Sequence, residues 1–77
     1  MTKLAIISPQ RMCKILERLG FYRDRQKGSH SFYKHSDGRA TVVPMHKGED
    51  LSRGMLRAIL RDIEITVEAY EKLRTGK

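Results

Sequence analysis

The chain has 77 residues, room for one domain but too few for a deep, enclosed cofactor cavity. Hydrophobic residues make up 39% and charged residues 32%, and 16 Lys and Arg against 9 Asp and Glu leave a net charge of +7. No apolar run approaches the roughly 20 residues of a membrane span, Met1 to Ser8 is too short for a signal peptide, and a single cysteine excludes a disulfide framework and a Cys-rich zinc site; a reducing cytoplasm is the expected compartment.

A helix is predicted over residues 9–19. Ser8 suits the N-cap and Pro9 the first helical position, where a missing N–H costs nothing. Met12, Ile15, Leu16 and Leu19 recur at helical spacing, and Gly20 provides the stop. Cys13 falls at the edge of that apolar face and reads as a small buried hydrophobe. Three antiparallel strands follow, at about 21–26, 30–35 and 39–44. Turns are expected at Lys27-Gly28 and at Asp37-Gly38, and Pro44 ends the last strand. Residues 45–51 read as a loop. Ser52 can cap a second helix whose apolar stripe is Met55, Leu56, Ile59, Leu60 and Ile63. Arg53, Arg57 and Arg61 form a basic stripe roughly opposite, either following phosphates or pairing with Asp50 and Asp62. Thr66 caps a short last helix at about 67–74. The order α-β-β-β-α-(α) defines an α+β domain with helices on one face of an antiparallel sheet.

Two-residue turns in both hairpins would pair Arg25 with His30, Tyr22 with Tyr33, and Tyr33 with Val42. Tyr22, Asp24, Ser31, Tyr33, His35, Ala40 and Val42 then share one face. The other holds Phe21, Arg23, Arg25, His30, Phe32, Lys34, Arg39, Thr41 and Val43. The second face carries too many cations to be fully buried, so His30 is expected on the wet side near Arg23, Arg25 and Lys34. One extra residue in either loop would turn a strand over. Tyr22 and Tyr33 read as core, and His35 as solvent-facing.

The excess charge is uneven. Residues 1–48 hold ten Lys and Arg against Glu17, Asp24 and Asp37, whereas residues 49–77 balance six against six. A small basic domain with a lopsided field suits a polyanion, above all nucleic acid; a cationic face kept for solubility is the plainer alternative. Enzyme constellations are scarce. His30, His35 and His46 are spaced without a paired-ligand signature, so no metal and no cofactor are expected. RNA, however, carries its own nucleophile, the 2′-OH. Its cleavage needs a base near neutrality and cations around the phosphorane, roles that suit imidazole and Lys or Arg. His30 follows Lys27, Gly28 and Ser29 at a tight turn, where glycine lets a phosphate backbone approach. It is a candidate base, or simply a polar residue starting a strand. His46 follows the third strand and could lie near His30, but reads as a loop residue.

Gly28-Ser29-His30, then Tyr33, Asp37-Gly38-Arg39, Val43-Pro44 and His46, resemble the HicA toxins of bacterial toxin–antitoxin modules. Leu19-Gly20-Phe21 and the run Gly54 to Leu60 also fit, so the resemblance spans about Ser8 to Tyr70. It implies a double-stranded-RNA-binding-domain-like fold, α-β-β-β-α, in a single domain over 1–77. It implies an mRNA interferase, a ribosome-independent endoribonuclease that halts translation, with His30 as the catalytic residue. The expected RNA-binding residues are Arg23, Arg25, Lys27, Gly28, Ser29, Lys34 and Arg39, with no metal. It also implies a HicB-like antitoxin that blocks access to the histidine, the toxin being a monomer alone and part of a hetero-oligomer with its partner. Residues 1–7 stand ahead of the pattern as an extension of unknown role. The competing readings are a binding module that holds double-stranded RNA without chemistry, and a small basic ribosomal or nucleoid protein.

Overall fold

The structure, a computed structural model, describes residues 4–76. Helix α1 runs Pro9–Arg18. Its N-cap is Ser8, whose hydroxyl accepts from the Arg11 N–H at 3.2 Å. Met12, Cys13, Ile15 and Leu16 are buried along one face. Three strands follow: β1 at Tyr22–Lys27, β2 at His30–Lys34 and β3 at Ala40–Pro44. They form one antiparallel sheet in the order β1-β2-β3. Helix α2, Arg53–Ile63, is capped by Ser52, and α3, Val67–Thr75, by Thr66. The expected architecture is therefore present: a helix, a three-stranded antiparallel sheet and two C-terminal helices.

The turns correct the expected register. In the first hairpin the turn is Gly28-Ser29 rather than Lys27-Gly28, since Lys27 pairs with His30. Gly28 has φ +59° while Ser29 does not enter the left-handed region. That is a type II′ turn, which places glycine first. A bulge at Asp24 then sets Arg23 opposite Tyr33 and Arg25 opposite Phe32. In the second hairpin the loop has three residues, Ser36 to Gly38, not two. His35 N–H donates to the Arg39 carbonyl at 2.9 Å, Gly38 N–H donates to the His35 carbonyl at 3.0 Å, and Gly38 has φ +101°. A turn followed by a left-handed glycine adds one residue, so Tyr33 pairs with Thr41 instead of Val42.

That single residue turns β3 over. Thr41 and Val43 are buried with Ser31 and Tyr33 beneath the helices, while Ala40 and Val42 join Phe32 and Lys34 on the other face. Thr41 had been expected among the cations; instead its hydroxyl donates to the Asp62 carboxylate on α2 at 3.0 Å. Tyr22, expected in the core, is 52% exposed because β1 is an edge strand whose residues are all exposed. Ser31 is fully buried, and among the described residues its hydroxyl has no hydrogen-bond partner.

The core gathers Met12, Ile15, Leu16, Phe21, Tyr33, Val43, Leu56, Ile59, Leu60, Ile63 and Tyr70. Leu4 and Ile7 of the N-terminal extension belong to it as well. Tyr70 of α3 is fully buried and donates to the Ala5 carbonyl. The Glu71 carboxylate, held below the usual range first by its bonds to Arg74, also takes the Ala5 N–H. Ile7 offers its carbonyl to the Leu51 N–H at 2.9 Å. The extension is thus a strap across α3 and the loop before α2.

Candidate active site at the first hairpin

His30 opens β2 directly after the turn and is exposed. It pairs with Lys27 on β1 and with Pro44 on β3, and beyond the second pair the Met45 N–H donates to the Ser29 carbonyl at 2.5 Å. This bond extends the ladder one residue and carries the chain at His46 alongside the turn. His30 and His46 consequently line one open cleft of about 290 Å³. Pro9, Pro44 and Leu51 supply its apolar lining, and Glu49, Asp50, Ser52 and Met55 complete it. Ser52 is committed to its cap, accepting from the Met55 N–H at 3.1 Å.

The loop bearing His46 is tied at several points. The Glu49 N–H donates to the His46 carbonyl at 3.2 Å, and Gly48 takes φ +78° within that turn. Met45 beside it rests its sulfur 3.7 Å from the Cys13 sulfur. Burial, the largest influence, pushes the Cys13 thiol up, as suits the small hydrophobe read from the sequence. The Tyr33 hydroxyl is likewise pushed far up, first by burial and then by its hydrogen bond with Cys13. Neither group is available as a nucleophile or acid near neutral pH.

The expected RNA-binding residues separate into two sets. Arg23, Arg25, Lys27, Gly28, Ser29 and Lys34 all belong to the first hairpin, Arg25 to Ser29 toward its turn, and Arg23 and Lys34 toward the far end, where Lys34 pairs with Ala40. Arg25 stacks its guanidinium 4.7 Å from the Phe32 ring centroid, Lys34 stands 3.6 Å from Asp24, and Arg23 donates to the Gln26 amide oxygen at 3.2 Å. All three are exposed. Arg39 lies at the opposite end of the sheet. Its guanidinium donates to Asp37 at 2.8 Å and to the Ile63 carbonyl at 2.5 Å, and it covers the Phe21 ring at 5.1 Å.

His35 also sits at that far end, and it corrects an expectation. Its side chain is only 19% exposed: it meets Phe21 edge-on at 4.9 Å, and its Nδ1 accepts from the Asp37 N–H at 3.0 Å. The longer second loop folds it inward. Arg53, Arg57 and Arg61 are exposed on α2, and among the described residues no ion pair joins them to Asp50 or Asp62. Among the described residues no group of three or more His, Cys, Asp or Glu side chains is arranged to hold a metal ion, and no helix is long and apolar enough to cross a membrane.

The fold and hairpin define a small basic α+β domain that presents an exposed histidine from a glycine turn among several cations. Comparison with protein families makes it specific. The model of the HicA toxin of bacterial toxin–antitoxin systems matches residues 9–65, most of the chain, so this protein belongs to the HicA toxin family. A search of curated proteins finds no match. The matched span begins at α1 and ends just past α2, leaving the strap and α3 outside it.

Proposed function

We propose that this HicA-family toxin is an mRNA-cleaving endoribonuclease that uses His30 as its general base and needs no metal. The observation that carries this reading is the setting of His30. It is an exposed imidazole on the first residue of a strand, next to a turn whose Gly28 leaves the backbone open, with nothing within 4 Å of where a Cβ would stand. Lys27 and Arg25 on β1 face the same end of the hairpin. In the proposed step His30 takes the proton of the 2′-OH, whose oxygen attacks the neighbouring phosphorus. The hairpin cations offset the charge that gathers on the phosphorane. The nucleophile belongs to the RNA, so the reaction calls for positioning and proton transfer rather than for a metal-bound water.

The family implies an antitoxin partner. A HicB-like protein of complementary acidic surface would silence the toxin most directly by covering Gly28 to His30, touching Arg23, Arg25 or Lys34. A standard interface of about 800 Å² per partner would span much of one face of a domain this small. The toxin alone would then be a monomer in the cytoplasm, and the resting state a hetero-oligomer.

The test is expression without the antitoxin. Growth arrest with RNA fragments bearing 2′,3′-cyclic ends is expected from the parent, and neither from His30→Ala. Growth arrest and RNA cleavage by a folded His30→Ala protein would remove His30 as the base. Salt-sensitive RNA binding by the parent without any cleavage would favour the non-catalytic module.

A further inference from the structure

We propose that His46 is the general acid of the cleavage, protonating the leaving 5′-oxygen while His30 deprotonates the 2′-OH. The proposal rests on the reading of His30 given above and adds a second catalytic residue to it. One imidazole can act as base or as acid in a single displacement, not both. The two proton transfers also occur on opposite sides of phosphorus, since nucleophile and leaving group lie in line. A cleft serving the reaction therefore needs a second donor, set apart from the first and facing the same space.

The structure supplies one. His30 comes from the start of β2 and His46 from the loop after β3, so the two imidazoles approach the cleft from separate strands. The His30–Pro44 pair and the Met45–Ser29 bond fix their separation along the ladder. The loop is held from three sides: by β2 through Met45, by its own turn at Glu49, and by the strap through the Leu51–Ile7 bond. His46 is exposed, as a group that must meet a phosphate ester has to be.

The other lining groups do not fit the role. Carboxyl groups such as those of Glu49 and Asp50 are, as a class, poor proton donors at neutral pH, whereas imidazole titrates there. Ser52 offers an aliphatic hydroxyl, a class of group far too weakly acidic to protonate a leaving alkoxide at neutral pH. Lys47 next to His46 and Lys27 across the turn add positive charge at the phosphate. His35 is the third imidazole, but it packs against Phe21 at the other end of the sheet.

The step balances without a co-reactant. The 2′-OH proton passes to neutral His30, and the 2′-oxygen forms the new P–O bond. The P–O5′ bond breaks, and O5′ takes the proton of the His46 imidazolium. The products are a 2′,3′-cyclic phosphate and a 5′-OH end, with His30 protonated and His46 neutral. Proton exchange with water restores both.

A substrate that needs no acid tests this directly. Purified toxin is given an oligonucleotide with one ribonucleotide at the cleavage position, in two forms: an ordinary 5′-oxygen and a bridging 5′-sulfur, which leaves as a thiolate without protonation. His46→Ala is expected to slow the oxygen substrate by about 10²–10⁴-fold and the sulfur substrate by less than about tenfold. His30→Ala is expected to slow both by the larger factor. Equal losses on the two substrates in His46→Ala, or no loss on oxygen, would overturn the acid role. Full activity of His30→Ala on both would instead overturn the reading of His30, and a parent protein that cleaves neither would overturn both. Circular dichroism and thermal melting establish that the variants fold. Should the alanine variant not fold, His46→Gln carries the same comparison.

Discussion

At one end of the sheet a two-residue turn delivers Gly28 and Ser29 into His30, and almost everything polar there is exposed. At the other end a three-residue loop closes on His35, Asp37 and Arg39, and the polar groups are bonded to one another. Asp37 accepts from the Arg39 N–H and guanidinium, and Arg39 continues to the Ile63 carbonyl at the end of α2. The Phe21 ring is held between Arg39 and His35. Both hairpins carry a histidine, a glycine and cations. Residue types alone do not separate them; what differs is whether the side chains are satisfied within the fold. A group with its bonds already made holds the structure together, and one left open is available to a ligand.

The largest effect that would break this comparison is catalytic. His30→Ala should reduce RNA cleavage by at least about 10²-fold with the melting temperature unchanged. His35→Ala should instead leave the groups at the cleft in place and lower the melting temperature. Cleavage assays beside thermal melts decide it, and a stable, inactive His35→Ala would reverse the two ends.

Arg39→Ala should cost about 2 kcal/mol, read from urea unfolding, because the Ile63 carbonyl and Asp37 lose a charged donor. Lys27→Ala, on the open hairpin, should leave stability within about 0.5 kcal/mol while weakening RNA binding and flattening its salt dependence.

Asp37 sharpens the contrast through pH. The Arg39 N–H, the largest influence, holds its carboxyl below the usual range. A carboxyl lowered in the folded state adds stability that is fully present above its unfolded value of about 3.9 and fades as pH falls through the lower folded value. Acid melts of the parent and of Asp37→Asn should therefore converge below about pH 4. A gap that persists unchanged there would show that the carboxylate is not the source.

The smallest effect concerns Ser31, the neighbour of His30. Its buried hydroxyl lacks a partner among the described residues, so Ser31→Ala should be neutral or stabilising by up to about 1 kcal/mol. A loss larger than that would reveal a bond the fold depends on.

The helices were legible because their signals are local. Ser8, Ser52 and Thr66 all cap where the sequence places them, and the apolar stripes of α1 and α2 are buried, save for half-buried Leu19 and for Met55 at the cleft. The β2 face was legible too: Ser31 and Tyr33 point inward and His30 does not. Turn length was not, because Lys27-Gly28 and Gly28-Ser29 are both plausible turns and Asp37-Gly38 fits either a two- or a three-residue loop. That one residue decided the fate of Thr41, Val43 and Val42. His46 was legible only as a residue after the third strand that could lie near His30; the Met45–Ser29 bond that carries its loop alongside the turn has no local sequence signal. His35 was misread because Phe21, against which it packs, comes from before β1, a proximity no local pattern announces.

The strap has a consequence for the order in which the molecule can be completed. Ala5 meets Tyr70 across 65 positions of the chain. The strap is thus made well before the helix that supplies its partners. Until Tyr70 and Glu71 emerge, the strap has no helix to clasp, and the loop it steadies through Leu51 lacks that support. Between the strap and α3, synthesis and the finishing of the fold run in opposite directions along the same chain.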